Sequence, residues 1–288
     1  MPKQAAGPSN PKPSNGGATT RPESILITLF GIYALGRHVA VSAGGVIDVL
    51  GRLGITEHAT RATLNRMSRR GLLHSVRQGR LSYLALTRYA EDVLADGEQR
   101  INSEVVNRDW DGHWTVLGFS VPETRRADRH ALRSHLGWAG FGLLQNGLWI
   151  APSPADVNDA LEKLDLLDHV KMFRAQAISP TRPEDLVREA WDLDQLADGY
   201  ARFLARWERG TFDGPDDLGR QVMLHTEWLL LIREDPRLPL VLLPEDWPGV
   251  RAEELFWKLR DELAESARGI AASTLDTIPV PEPATPHS

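Results

Sequence analysis

Residues 55–73, ITEHATRATLNRMSRRGLL, restrict the fold of this chain more than any other stretch. Thr56 stands where a side-chain oxygen can cap a helix start, and Gly71 where a left-handed residue commonly ends one. Between them Thr60, Leu64 and Met67, with Ala59 and Thr63 beside them, recur at helical spacing and form a stripe to be buried. The flanks offer surfaces for that stripe. SILITLFGIYALGR (24–37) is apolar nearly all round, as a buried helix is, and GGVIDVLGRLG (44–54) sets Val46, Val49, Leu50 and Leu53 on one side before a closing glycine. Downstream, LLHSV and LSYLAL have strand character and flank Arg77-Gln78-Gly79-Arg80, with Gln78-Gly79 expected in the tight turn of a hairpin.

With the stripe turned inward, His58, Arg61, Ala62, Asn65, Arg66 and Arg69 occupy the other faces of the helix. Arg61 and Asn65 are four residues apart, hence on neighbouring turns. A guanidinium can donate two parallel hydrogen bonds to guanine, and an Asn amide can pair both ways with adenine. Ala62 is small enough to let the backbone approach a groove. Arg77, Gln78 and Arg80 lie at the hairpin tip, where they can clasp phosphates. Two helices, a third that reads bases and a basic-tipped hairpin describe a winged helix-turn-helix. The competing reading, arginines that only solvate a surface helix, does not account for the helix caps, the preceding helix and the hairpin together.

Net charge is −6, which alone argues against a polyanionic partner, but the average conceals a split. Residues 21–90 carry ten arginines against Glu23, Asp48 and Glu57, a balance of +7, whereas residues 178–270 carry 12 basic and 20 acidic side chains, a balance of −8. One end is suited to meet a polyanion and the other is not. The absence of cysteine excludes disulfides, thiolate metal sites and cysteine nucleophiles. No apolar run approaches the ~20 residues that span a bilayer, and no signal-peptide core opens the chain, so no membrane partner and a cytoplasmic location are expected.

Beyond the head, residues 91–103 read as a connecting helix. HWTVLGFSVPE is a strand, RRADRHALRSHLG a helix with Leu132 and Leu136 inward, and WAGFGLLQNGLWIAP two strands around Asn146-Gly147. PADVNDALEKLDLL places Val157, Ala160, Leu161 and Leu164 on one helical face, and HVKMFRAQAI closes as a strand. The order βαββαβ suggests a ferredoxin-like sandwich. From about residue 183 the pattern is helical, with Leu196, Tyr200, Phe203, Leu204 and Trp207 on one stripe and Ala252, Phe256, Leu259, Leu263 and Ala267 on another. The expected division is thus a tail over 1–22, a winged-helix domain over 23–90, a linker helix over 91–103, a ferredoxin-like domain over 104–180, a helical effector or dimerisation domain over 181–271, and a second tail over 272–288, an α+β chain overall. Both tails are rich in proline and polar residues and have little to bury.

Several catalytic patterns are incomplete. The first ferredoxin-like strand ends Gly118-Phe119-Ser120-Val121, without the carboxylates of a two-metal phosphodiesterase. Gly140, Gly142 and Gly147 sit in a strand-turn-strand, not in a dinucleotide-binding turn. His225-Thr226-Glu227 holds the H-x-E of zinc deaminases without their cysteines. No metal site and no catalytic residue is expected. Arg129 and Arg133, on the helix after the first ferredoxin-like strand, could meet phosphates. Trp247, in the rigid turn PEDWPG, could plug the core or line an effector pocket between the helical and central domains.

The chain resembles the PaaX family of bacterial repressors of phenylacetic acid degradation and related catabolic operons. The resemblance rests on SILITLFGIY, on ITEHATRATLNRMSRRGLL followed by GRLSYLALT, and on DWDGHWTVLGFSVPE, LGWAGFGLLQNGLWIAP, WDLDQLADGYARFLARW and DPRLPLVLLPEDWPGVRAEELFWKLR, in that order over roughly residues 23–271. It implies a winged helix, a central ferredoxin-like domain similar to Cas2 and a helical C-terminal domain. It also implies a homodimer on double-stranded operator DNA, with no cofactor, released by an aryl-coenzyme A effector such as phenylacetyl-CoA. No operator sequence is inherited, because family members vary at the positions of His58 and Asn65. The alternatives are an enzyme acting on a thioester or nucleic acid, and a regulatory adaptor without an effector.

Overall fold

A computed structural model describes residues 20–152, 154–208 and 216–281. Residues 1–19 and 282–288, most of the two expected tails, lie outside that range. The first helix, α1 (Pro22–Tyr33), starts on a proline, whose missing N–H costs nothing there, and buries Ile25, Leu26, Leu29 and Phe30. A short strand, β1 (Val39–Ser42), leads directly into α2 (Ala43–Arg52), capped by the Ser42 hydroxyl accepting from the Gly45 amide. Helix α3 (Glu57–Arg69) is capped by Thr56, and Gly71 takes φ +72° beyond its end. Strands β2 (Leu73–Gln78) and β3 (Leu81–Leu86) form the hairpin. Gln78 pairs with Leu81, so the loop is Gly79-Arg80 and not the expected Gln78-Gly79. The reason is conformational: Gly79 adopts φ +62°, which a glutamine would resist.

Helix α4 (Arg88–Asn102) begins three residues before the expected linker helix because Thr87 caps it, accepting from the Ala90 amide. The central unit follows as β4 (Trp114–Phe119), α5 (Arg126–Trp138), β5 (Gly142–Gln145), β6 (Leu148–Ala151), α6 (Asn158–Lys163) and β7 (Val170–Ala175). Its sheet runs β5-β6-β4-β7 with every neighbouring pair antiparallel, the arrangement that the βαββαβ order implied. Leu132, Leu136 and Leu161 from α5 and α6 cover one face, packing on Leu117 and Trp149. Helix α6 is shorter than its apolar pattern suggested, because Asp165 turns the chain with φ +53°.

The remainder is α7 (Pro183–Ala190), α8 (Leu193–Trp207), α9 (Asp217–Arg233), α10 (Pro248–Thr274) and β8 (Thr277–Pro279). Two of the expected boundaries shift, and one expected separation does not hold. First, α7 belongs with the central sheet: Val187 packs with Trp114 and Ile150 on its second face, and a Cβ on Gly142 would strike Trp191 and Ala190 within 3 Å. Second, residues 272–281 are not a free tail, since α10 runs to Thr274 and β8 pairs antiparallel with β1, giving the head a sheet in the order β2-β3-β1-β8. Third, the head and the C-terminal helices share one hydrophobic core, in which Leu26, Phe30 and Val46 join Trp228, Phe256 and Leu263. Amphipathic α2 and all-round apolar α1 have too little partner surface within residues 23–90, and α9 supplies the rest. Among the described residues no helix is long and apolar enough to cross a membrane.

Candidate nucleic-acid interface

The buried stripe of α3 is Thr60, Thr63, Leu64 and Met67, all at most 5% exposed. The two threonine hydroxyls do not go unpaired, donating back to the carbonyls of Thr56 (3.2 Å) and Ala59 (2.8 Å). Burying this stripe against α1 and α2 fixes which side faces out. His58, Arg61, Asn65, Arg66 and Arg69 are exposed on it, with Ala62 half-buried between them. The hairpin tip adds Arg77, Gln78 and Arg80, also exposed, and Leu81, which stands 58% exposed without polar function.

The arginines of α3 are not equivalent. Arg61 donates from Nε to Oε1 of Glu57 at 2.7 Å, one turn earlier on the same helix, and its Nη2 lies 2.7 Å from the same oxygen in an ion pair. Arg66 donates from Nη2 to the Thr63 hydroxyl at 2.8 Å, which folds it along the helix. Arg70 turns away from the exposed face and pairs with Glu23 of α1. The side chain of Arg69 makes no hydrogen bond or ion pair among the described residues, nor do those of His58, Asn65, Arg77 and Arg80. Glu57 was not among the expected site residues, although its signal is in the sequence: a Glu four residues before an Arg on a helix makes this pair. The charges here act in water, so the surface ion pairs are worth little to folding, about 0.5 kcal/mol each.

The head is fastened to the acidic helices by polar contacts around their common core. Arg52, in the last turn of α2, donates to Asp216 at 2.5 Å, to Asp48 at 2.7 Å and to the Thr274 hydroxyl at 3.4 Å. The hydrogen bond to Asp216 is the largest influence holding its guanidinium charged, followed by that to Asp48. Tyr33 donates to Gln221 Oε1 at 2.6 Å, and burial pushes its phenol up to about 12. Tyr83 donates to Asp276 at 2.6 Å. The carbonyl of Thr274 lies over Gly45, where a Cβ would come within 2.4 Å of it. Only the Arg52–Asp48 pair could be read from spacing.

The residues considered for an effector do not converge. Trp247 is 7% exposed, edge-on to Tyr200 with ring centroids 6.1 Å apart, and so is a core side chain. The cavity beside it, lined also by Val105, Leu196, Tyr200, Asp235 and Leu243, measures about 10 Å³, the space of one water. Arg129 is half-buried and Arg133 exposed, both on α5, and neither lines that cavity. Burial raises Asp235 above the usual carboxylate range, and Tyr200 donates to it. His225 and Glu227 point to different partners, the first to the Gln221 carbonyl and Phe256, the second to Trp207 and Arg206. Gly140 and Gly147 take φ +82° and +79°, in keeping with turn roles.

Comparison with known proteins matches most of this architecture. Residues 21–90 fit the model of the PaaX-like protein, residues 107–187 that of the PaaX protein central Cas2-like domain, and residues 191–273 that of the PaaX-like protein C-terminal domain. Transcriptional repressor PaaX of Escherichia coli (strain K12) is 28% identical over 276 residues, covering 88% of this chain and 84% of that protein. Among solved structures, the uncharacterized protein Rv0674 from Mycobacterium tuberculosis superposes with a TM-score of 0.63 at 26% identity, over 88% of this chain and 99% of the other. A head that carries its basic face on α3, a Cas2-like sheet and a helical C-terminal part, each matched in order, place this chain in the PaaX family.

Proposed function

We propose that this chain is a transcriptional repressor that binds double-stranded operator DNA through α3 and the β2–β3 tip, the head acting as a winged helix-turn-helix. The chain is a regulator and not an enzyme, in line with its repressor relative. The observation that carries the DNA reading is the exposed row His58, Arg61, Asn65 and Arg69 on α3, together with exposed Arg77 and Arg80 on the hairpin. A helix of this size fits the major groove, with Arg61 and Asn65 at base edges and the hairpin on phosphates. One such helix reads few base pairs, so we propose a homodimer on two half-sites about 10 base pairs apart, or a multiple of that. We further propose an aryl-CoA thioester, of the phenylacetyl-CoA kind, as the ligand that lowers operator affinity in the cytoplasm.

Selection of binding sites from a random-sequence DNA pool tests the core of this reading, followed by titration of two variants on the selected site. Arg61→Ala is expected to cost about 1–3 kcal/mol and to relax preference at one base pair. Arg77→Ala is expected to weaken selected and unselected DNA alike and to lower the salt slope by about one unit. No selected sequence at all, or two variants indistinguishable from the parent, would remove the assignment.

A further inference from the structure

Glu57 lies on the face offered to DNA, where a carboxylate is out of place electrostatically. It is 61% exposed in its side chain, it precedes the basic row of α3, and a polyphosphate partner would repel it. Its contact explains its position. A guanidinium has two donating edges, one made by Nε and Nη2 and one made by Nη1 and Nη2. Glu57 Oε1 lies along the first, accepting from Nε at 2.7 Å and standing 2.7 Å from Nη2. That leaves the second edge directed away from the helix start, which is the fork that matches guanine O6 and N7. A free arginine on an exposed helix samples many rotamers and can bond to any phosphate within reach. One held along an edge does so less.

We infer that Glu57 is a positioning residue for sequence discrimination: it locks Arg61 by one guanidinium edge, so that the other edge reads a base and does not wander to the backbone. The inference rests on the proposed DNA reading and adds to it a residue that does not itself touch DNA. Neighbouring arginines supply the contrast. Arg66 is tied to Thr63 through one nitrogen only, and Arg69 has no partner among the described residues, so both are suited to phosphates. The carboxylate has two separable consequences. Its charge lowers affinity for any DNA, whereas its hydrogen bonds raise the difference between one sequence and another.

Two substitutions separate these. Glu57→Ala removes charge and acceptor together, and Glu57→Gln removes the charge but keeps a carbonyl oxygen at the same reach. The assay is the ratio of affinities for the site selected by the parent protein and for the same site changed at the base pair that Arg61→Ala identifies. Both variants are expected to bind random-sequence DNA more tightly than the parent, to a similar degree. Discrimination at that one base pair is expected to fall about fivefold or more in Glu57→Ala, with part of it restored in Glu57→Gln. In an Arg61→Ala background, Glu57→Ala should have no further effect on discrimination. Thermal melting should be unchanged in all of them, because both side chains are exposed. Parental discrimination in Glu57→Ala, or equal losses in the two variants, would overturn the positioning role while leaving DNA recognition standing. A parent protein that selects no sequence would remove both.

Discussion

His225 shows how completely the C-terminal core decides the state of a single side chain. It is 7% exposed on α9, its ring lies edge-on to Phe256 at 5.5 Å, and its Nδ1–H donates to the Gln221 carbonyl at 2.8 Å. Burial is the largest influence on it and lowers its pKa from 6.5 to about 4. The imidazole is therefore neutral in the folded chain. Below pH 6.5 the unfolded chain takes up a proton at this position that the folded chain refuses until about pH 4. Stability is then lost as pH falls through that window, by about 3 kcal/mol in all. Half-buried Asp235 and Glu227 act in the opposite direction, since desolvation raises both and the folded chain protonates them first. A comparison with His225→Leu isolates the histidine. The stability difference between parent and variant, measured by urea denaturation, should shift by about 3 kcal/mol in the variant's favour from pH 6.5 to pH 4. A constant difference across that range would mean that the ring is hydrated or already charged.

Among the elements, those with a local signature were legible in the sequence and those completed by a distant partner were not. The capped start and glycine end of α3, the apolar stripes of α8 and α10 and the Asn146-Gly147 turn are statements about neighbours in the chain, and the sequence carries them. Strand β1 is only VAVS, and β8 lies in TIPVPEP, where proline argues against a strand. β1 is held on one side by β3 and on the other by β8, and β8 exists only through β1, more than 230 residues away: Ala40 faces Ile278, and the Ser42 amide donates to the Asp276 carbonyl at 2.8 Å. β8 also covers an apolar patch of Ala40, Tyr83 and Ala85 with Ile278 and Val280. The site followed the same division, since the exposed row of α3 could be read from periodicity whereas the ties of Arg52 to Asp216 and Thr274 could not. Ending the chain at Leu275 should uncover β1 and leave Tyr83 without Asp276, a loss on the order of 2–4 kcal/mol. It should also speed amide exchange across Val39–Ser42 while sparing the central sheet. An unchanged denaturation midpoint together with unchanged exchange in β1 would show that β8 adds nothing to the head.

At the scale of the whole molecule, α10 connects the head, the other C-terminal helices and the segment that leads into the central sheet. Near its start Glu253 accepts from the amides of Val105 (2.6 Å) and Val106 (3.1 Å) and from Arg108 (2.8 Å), on the segment that enters the central sheet. Along its length it packs on α8 and α9, and beyond its end β8 joins the head. Such a helix needs no hinge to connect a ligand to DNA, only two arrangements of nearly equal free energy. A hundredfold release from the operator requires about 2.7 kcal/mol of differential affinity between them. The arrangement described here has room for one water beside Trp247, so an aryl ring in that seam would have to part α8 from the start of α10. The ligand would then favour the parted form and DNA the compact one. An aryl-CoA thioester should release the selected DNA where the free aryl acid does not, because the acid lacks the phosphates that add to its binding. Trp247→Ala is a poor probe, since emptying a buried tryptophan site costs about 3–5 kcal/mol in itself. Trp247→Phe keeps most of the packing against Tyr200, and it should leave operator affinity within twofold of the parent, about 0.4 kcal/mol, while shifting the thioester concentration needed for release. Release unaffected by the substitution would move the ligand site away from this seam. Operator binding indifferent to every aryl-CoA tested would remove the effector class and leave the repressor reading in place.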